Sequence, residues 1–192
     1  MKKPLIVIFL VLLLDQVSKI LVKTTMAIGE AIPVFGKWFY ILFIENNGMA
    51  FGWEISGAVW GKIFLSLFRV AAVALLFWLI SRMVRNKVKF GPVFGVSLIT
   101  AGAIGNIIDC WFYGLIFGYA GFLQGRVVDM LYFPLFTFPD WVPFFGGEIF
   151  FSPIFNIADS AITIGIFYLL IFQWNFLKNF ETIIKAKSSK SS

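Results

Sequence analysis

The sequence lacks histidine altogether and contains a single cysteine, Cys110. The absence of histidine excludes Ser-His-Asp and Cys-His catalysis, HExxH zinc sites and histidine-ligated haem. One cysteine excludes an intrachain disulfide and a metal–thiolate cluster. We therefore expect no metal and no cofactor, and any catalysis must rest on carboxylates, hydroxyls, lysine or arginine.

Charged residues are also scarce, at 14% of the chain, whereas 60% of the residues are hydrophobic and the mean hydropathy is +0.91. These values place the chain among integral membrane proteins. The net charge is +6, but the basic residues cluster at the ends of apolar runs. They indicate topology signals and lipid-headgroup contacts, and no nucleic-acid partner. The clusters are Lys2 and Lys3; Arg82, Arg85, Lys87 and Lys89; and Lys178, Lys185, Lys187 and Lys190.

Four apolar runs predict membrane-spanning helices over residues 4–22, 59–80, 92–113 and 155–174. The first run follows two lysines, as a signal peptide would, but no small-x-small cleavage site comes after it. We interpret it as a retained helix. The four spans belong to a single integral membrane domain, 1–178, followed by a polar cytoplasmic tail, 179–192.

The two longer segments between the spans are not expected to cross the membrane. In 23–58, the stretch from Trp38 to Ile44 has the composition of a strand and is followed by a turn-like stretch. Four prolines interrupt 114–153, and unsatisfied backbone groups are not tolerated in lipid, so this Phe-rich segment is predicted to be a flap at the interface. The fold class is therefore an all-α membrane protein with four transmembrane helices and a small β element on the membrane surface.

The distribution of lysine and arginine predicts the orientation of the chain. The short loop 81–90 and both termini are basic, whereas 23–58 and 114–153 carry few basic residues. By the positive-inside rule, both termini are cytoplasmic and the two longer segments are outside.

Acidic side chains at the outer ends of the spans are the candidate functional groups. Asp109 lies late in the third span, Asp159 lies early in the fourth, and Asp129 lies in the outer segment between them. Two close carboxyl groups in a poorly hydrated place share one proton, because they cannot both ionise. The ionised group can take a proton from water while the neutral group donates to a carbonyl oxygen, which is peptide hydrolysis by an aspartic dyad. Asn106 and Asn156 each precede an aspartate by three residues, and so can orient its carboxyl group.

Structural explanations stand beside these functional ones. Asp15 and Lys19 lie four residues apart and are best interpreted as a structural ion pair. Asp109 fits a supporting polar role at a helix end, and Cys110 fits a small core residue. From spacing alone, the Asp129/Asp159 pair is equally compatible with a peptidase dyad and with a proton- or ion-conducting pair. A non-enzymatic membrane assembly factor is a third alternative.

Five blocks of sequence resemble the lipoprotein signal peptidase family, also called signal peptidase II. Each block alone is weak evidence, but all five occur in the family's order across the four predicted spans. The blocks are Asp15-Gln16-Val17-Ser18-Lys19; Asn46-Asn47-Gly48-Met49-Ala50-Phe51-Gly52; Gly102-Ala103-Ile104-Gly105-Asn106-Ile107-Ile108-Asp109; Gly125-Arg126-Val127-Val128-Asp129; and Phe155-Asn156-Ile157-Ala158-Asp159-Ser160.

The resemblance implies a four-helix protease of the bacterial inner membrane with a periplasmic β-cradle and a mobile periplasmic helix. Its implied substrate is a diacylglyceryl-modified prolipoprotein, cleaved just before the lipidated cysteine, and globomycin-type cyclic peptides are expected inhibitors. We expect a monomer in contact with membrane lipids. The family's catalytic residues map to Asp129 and Asp159. Its substrate-binding or supporting residues map to Asn46, Gly48, Asn106, Asp109, Arg126, Asn156 and Ala158.

Two features depart from the family pattern. An arginine usually follows the aspartate of the third block, but Cys110 stands there in this chain. Our hypothesis is that another cation, Arg126, supplies the missing guanidinium. The segment between Asp129 and Phe155 is also long, and we interpret it as an enlarged outer flap.

Overall fold

The computed structural model describes residues 1–46 and 59–181, and within 59–65 it describes the backbone alone. Gly48 and most of the turn-like block that contains it therefore lie outside the described residues, as does the part of the predicted tail from residue 182 onward. All other candidate site residues are described.

The chain is mostly helical, as its composition predicted. The helices are α1 (Lys2–Thr25), α2 (Val59–Arg85), α3 (Phe90–Ile108), α4 (Gly114–Ile116), α5 (Ile157–Phe172) and α6 (Trp174–Lys178), and a π-helical segment, Asp109–Tyr113, joins α3 to α4. Among the described residues, three helical stretches are long and apolar enough to cross a membrane: Lys2–Thr25, Ser66–Arg85 and Phe90–Ile116. The outward faces of α1 and α5 expose leucine, isoleucine and phenylalanine, as lipid-facing helices do.

The fourth predicted span corresponds to a shorter helix than the sequence suggested. Helix α5 has 16 residues, which at 1.5 Å per residue is about 24 Å, somewhat less than the hydrocarbon core. It begins at Ile157 because Phe155 is still extended in a strand and Asn156 caps the helix. Gln173 then separates α5 from α6.

Helix α3 is the centre of the bundle and contacts α1, α2 and α5. Two glycines of the third sequence block allow the close approach. A Cβ atom at Gly105 would lie 2.6 Å from a carboxylate oxygen of Asp15 on α1, and one at Gly102 would overlap the carbonyl oxygen of Ala158 on α5. Small residues at helix contacts are the usual means of close packing in membranes. Here they bring α1, α3 and α5 together at the level of the acidic residues.

The small β element predicted from the sequence is a four-stranded antiparallel sheet. Its strands occur in the order β1 (Ala31–Phe35), β2 (Phe39–Asn46), β3 (Val127–Tyr132) and β6 (Ile154–Phe155). The register sets Asp129 on β3 opposite Ile44 on β2, and Leu131 opposite Phe155. Because β6 leads directly into α5, the sheet places Asp129 beside the start of that helix.

The segment between Asp129 and Phe155, which was predicted to be an enlarged outer flap, contains a separate hairpin. Strands β4 (Phe136–Thr137) and β5 (Ile149–Phe150) pair with each other and not with the main sheet. The hairpin therefore projects from between β3 and β6, the two strands that lead to the candidate aspartates.

Candidate active site

Asp129 lies in the buried part of β3, where only 4% of its surface is exposed. Two amide groups donate to its carboxylate: Asn156 Nδ2 lies 2.7 Å from Oδ1, and Asn46 Nδ2 lies 3.2 Å from Oδ2. Both donors are neutral, so the hydrogen bonds satisfy the carboxyl oxygens without supplying a positive charge.

Asp159 lies in the first turn of α5, where local sequence fixes its position. Asn156 is the N-cap, and it forms a reciprocal capping box with Asp159. The Asp159 N–H donates to Asn156 Oδ1 at 2.9 Å, and the Asn156 N–H donates to Asp159 Oδ2 at 3.3 Å. Because Asn156 Oδ1 is used in the cap, its Nδ2 must point the other way, toward Asp129. One fully buried asparagine thus holds both aspartates.

The second asparagine, Asn106 on α3, completes the connection between the two carboxyl groups. Its Nδ2 donates to Asp159 Oδ1 at 2.8 Å, and its Oδ1 accepts from Asn156 Nδ2 at 3.2 Å. Asp159 is only half-buried, unlike Asp129. Water can therefore reach the pair from the side of Asp159.

The electrostatic state of Asp129 follows from this environment. Burial, and then the negative charge of Asp159, raise the pKa of Asp129 to about 7. The hydrogen bonds from Asn46 and Asn156 act in the opposite direction and offset part of the increase. The Asp129 carboxyl group is thus able to hold a proton at neutral pH.

A buried ionic cluster lies directly beneath this pair. Lys19 Nζ is 2.9 Å from Asp15 Oδ2 and 2.7 Å from Asp109 Oδ2, and all three side chains are essentially inaccessible to solvent. Gln16 Nε2 donates to Asp15 at 3.1 Å and to Asp109 at 3.0 Å. The predicted Asp15–Lys19 ion pair is present, but it is part of a larger cluster that includes Asp109.

The carboxylates of the cluster accept backbone N–H groups from the two elements that carry the aspartate pair. Asp15 Oδ1 accepts the N–H of Ala158 at 2.8 Å, and Asp109 Oδ2 accepts the N–H of Val128 at 3.4 Å. Ala158 directly precedes Asp159, and Val128 directly precedes Asp129. The carboxylates of the cluster therefore hold the backbone beside both members of the pair.

Lys19 also determines which way the amide of Asn106 faces. Its Nζ donates to Asn106 Oδ1 at 3.0 Å. An ammonium group can only donate, so the amide oxygen must face Lys19 and the amide nitrogen must face Asp159. Lys19, which the sequence spacing assigned to a structural ion pair, thus orients the Asn106 amide that contacts Asp159.

Two further residues predicted from the sequence, Ala158 and Arg126, differ in their contacts. Ala158 is buried against α3 and contributes its backbone N–H. The Arg126 side chain is exposed and pairs with Glu45 at 3.3 Å, and the described contacts do not connect it to either aspartate. Its proposed substitution for the missing arginine remains a prediction.

Two contributors were not found from the sequence. Gln16 bridges Asp15 and Asp109, and its presence inside the first sequence block was the available signal. Arg69, on α2, lies with Nη1 3.0 Å from Cys110 Sγ. Its only signal was a charged residue inside an apolar helix, which in a membrane protein points to a functional position.

Comparisons with known proteins identify the family of the chain. The family model described as signal peptidase (SPase) II matches residues 7–175. This chain belongs to the signal peptidase II family. The match covers α1 from residue 7 onward, all of α2 to α5 and the first two residues of α6, and it includes every residue of the site.

Several curated relatives carry the name lipoprotein signal peptidase. The one from Porphyromonas gingivalis is 47% identical over 184 residues, covering 85% of this chain and 79% of that protein. The one from Amoebophilus asiaticus is 35% identical and covers 84% of this chain and 73% of that protein. The one from Staphylococcus carnosus is 34% identical and covers 89% and 93%, respectively.

A solved structure described as a bacterial membrane enzyme superposes on the chain with a TM-score of 0.65. The two are 27% identical, and the match covers 90% of this chain and 93% of the other. The resemblance to signal peptidase II is therefore confirmed. Between the alternatives that spacing left open, the family supports a peptidase and not a proton- or ion-conducting protein.

Proposed function

We propose that this chain is an aspartic endopeptidase of the bacterial inner membrane, in which Asp129 and Asp159 share one proton and hydrolyse the signal-peptide bond of a prolipoprotein. The observation that carries the proposal is the direct connection of the two carboxyl groups through Asn156 and Asn106. Two distant parts of the chain bring these groups together, and no lysine or arginine side chain that the structure describes forms an ion pair with either of them.

The two aspartates have different roles in this mechanism because their surroundings differ. The raised pKa of Asp129, about 7, favours its protonated form. Asp159 lies in the first turn of α5, where the helix dipole and the capping N–H stabilise a negative charge. Asp159 is therefore the base that faces water, and Asp129 is the acid.

The reaction balances with these groups and one water molecule. Asp159 takes a proton from water while the water oxygen attacks the scissile carbonyl carbon, and Asp129 gives its proton to the carbonyl oxygen. The resulting diol collapses: the C–N bond breaks, the nitrogen takes the proton from Asp159, and a diol hydroxyl returns a proton to Asp129. Both carboxyl groups end in their starting states.

The relatives' name and the membrane setting support a prolipoprotein as the substrate. The site lies where α1, α3 and α5 meet the sheet, and the outward faces of α1 and α5 are apolar. A lipid-bearing peptide can therefore approach from the bilayer without leaving it. We propose cleavage just before the diacylglyceryl-modified cysteine, inhibition by globomycin-type cyclic peptides, and action as a monomer.

The proposed topology has four spans, with α5 as the fourth, both termini in the cytoplasm and the site near the periplasmic face. The basic residues support this arrangement because they gather at one end of the bundle. Lys3 Nζ lies 5.8 Å above the ring of Phe90, so the start of α1 lies beside the start of α3. The sheet and both aspartates lie at the other end, where α3 ends and α5 begins.

The decisive experiment is cleavage of a diacylglyceryl-modified prolipoprotein by the full-length protein in liposomes, followed by mass spectrometry. The product masses identify the bond that breaks. Asp129→Asn and Asp159→Asn are each expected to abolish cleavage. Glu30→Gln is the control, because Glu30 is exposed and its carboxylate accepts only a local backbone N–H, that of Ala27, which glutamine can still accept.

Each outcome decides the proposal. The proposal is supported if wild type cleaves before the lipidated cysteine, both site variants lose this cleavage, and the control variant keeps it. Full activity of either site variant removes that aspartate from the dyad. Cleavage of the unmodified precursor at the wild-type rate would contradict the lipid-bearing substrate.

A further inference from the structure

The segment 133–153, here called the aromatic hairpin, has an unusual composition for an outer loop. It contains seven phenylalanines and one tryptophan but only two charged residues, Asp140 and Glu148. It connects β3, which carries Asp129, to β6, which leads to Asp159. A loop of this composition requires an explanation that the proposed catalysis does not provide.

The aromatic hairpin is an ordered element with a defined tip. The Phe138 N–H donates to the Glu148 carbonyl oxygen at 2.9 Å, and the Gly147 N–H donates back to the Phe138 carbonyl oxygen at 3.0 Å. The rings of Phe136 and Phe150 stack across β4 and β5 with their centroids 4.8 Å apart. These contacts fix which side chains the tip presents.

The tip presents its largest apolar side chains outward. Trp141 is 81% exposed and Phe144 is 99% exposed. Leaving such a side chain in water forgoes the favourable free energy of burying its apolar surface. Phe144 also has a φ of 66°, in the left-handed region that is unfavourable for a residue other than glycine. Nothing within residues 1–46 and 59–181 covers these rings, so a favourable contact with a group beyond the described residues is expected.

The base of the aromatic hairpin is continuous with the surface of the membrane-facing part of the protein. Phe133 stacks on Phe39 with a centroid distance of 4.5 Å, and it also contacts Trp38 and Phe155. Two residues after Phe155, α5 begins, and its outward face exposes Phe167 and other apolar side chains. The aromatic surface thus begins where a lipid-facing helix begins.

We infer that the aromatic hairpin inserts Trp141 and Phe144 into the interfacial region of the adjoining bilayer leaflet. Tryptophan and phenylalanine are suited to that region because their large rings gain from partial burial near the headgroups. Asp140 and Glu148 are exposed and can remain in the headgroup layer. A lipid surface is favoured over a protein partner because the hairpin continues a surface that already faces lipid. Since both ends of the hairpin lead to the aspartates, this contact sets the height of the site relative to the membrane.

The test uses the full-length protein in phosphatidylethanolamine–phosphatidylglycerol liposomes, with a nitroxide label on Phe144→Cys. Because Phe144 is almost fully exposed, the substitution leaves the internal packing unchanged. Cys110 is buried, and wild type treated with the same reagent measures its background labelling. Lys89→Cys, an exposed polar position in the loop between α2 and α3, is the control. Collision of the label with oxygen reports the bilayer, and collision with a water-soluble nickel chelate reports water.

The inference predicts an oxygen-to-nickel collision ratio several-fold higher at Phe144→Cys than at Lys89→Cys. Equal ratios at the two positions would place the tip in water and overturn it. A label at Phe144→Cys that is shielded from both reagents would mean that protein covers the tip, which also overturns it. The measurement does not depend on peptidase activity, so its failure is distinguishable from failure of the proposed function.

Discussion

Two groups of aspartates lie next to each other in this molecule, and their partners differ. Asp15 and Asp109 contact the ammonium group of Lys19 and are fully buried. Asp129 and Asp159 receive hydrogen bonds from neutral amides. The ion pairs with Lys19 offset part of the cost of burying the first two carboxyl groups, whereas the second two have no ion-pair partner among the described residues. The two groups therefore differ in their partners and not in residue type, and the roles proposed for them rest on that difference.

The largest expected effect is a loss of activity without a loss of the fold. Asp129→Asn and Asp159→Asn are each expected to lower kcat by at least about 10³-fold, since both the acid and the base are required. Each variant should stay folded, because asparagine keeps the shape of the side chain and one of the two accepting oxygens. Cleavage assays and thermal unfolding of the same preparations measure both effects.

The sign of the pH dependence sharpens this prediction. The pKa of Asp129 is higher in the folded state, about 7, than its ordinary value, so its contribution to stability is present at low pH and is lost as the pH rises through 7. Asp129→Asn removes this dependence. The difference in Tm between the variant and wild type should therefore grow in the variant's favour from pH 4 to pH 8. A difference that does not change with pH would contradict the raised pKa.

The second prediction concerns the ionic cluster, where the expected effect is a loss of stability. Lys19→Met leaves two buried carboxylates without their cation and should lower the free energy of unfolding by about 3–5 kcal/mol. Lys178→Met, at an exposed position, is the control and should have little effect. Adding Asp109→Asn to Lys19→Met should restore part of the stability, because it removes one unpaired charge. Thermal unfolding of the three variants would show whether the cluster has the structural role assigned to it.

A third prediction concerns the residue that connects the two groups. Asn106→Ala removes the donor to Asp159 and the acceptor for Lys19. The loss of such a hydrogen bond costs about 1–3 kcal/mol, which corresponds to a decrease in kcat of about 10- to 100-fold. Asn175→Ala, at an exposed position on α6, is the matched control. A change confined to KM would assign Asn106 to substrate binding instead of to the orientation of Asp159.

The smallest predicted effect is a shift of the alkaline limb of the pH–activity profile in an Asn46 variant. Activity should fall above about pH 7, where Asp129 loses its proton. Asn46 donates to the Asp129 carboxylate and so stabilises the ionised form. Asn46→Ala should therefore raise the pKa of Asp129 and move the alkaline limb upward by about 0.5–1 pH unit. A downward shift in the pH profile of kcat/KM would contradict this assignment.

The sequence by itself determined the class of protein, the family and the candidate dyad. Long apolar runs predict membrane helices, and the absence of histidine restricts catalysis to carboxylates, hydroxyls, lysine or arginine. The capping relation between Asn156 and Asp159 could also be predicted, because it depends on residues three positions apart in the same helix.

Only the tertiary structure decided how Asp15, Lys19 and Asp109 relate to the candidate dyad. Local spacing gave Lys19 one partner, four residues away, but its contacts with Asp109 and Asn106 cross from α1 to α3. Such contacts depend on how closely two helices approach, which Gly102 and Gly105 permit but do not specify. The proposed sharing of one proton likewise depends on burial and on the charges nearby, and these exist only once distant parts of the chain have packed together.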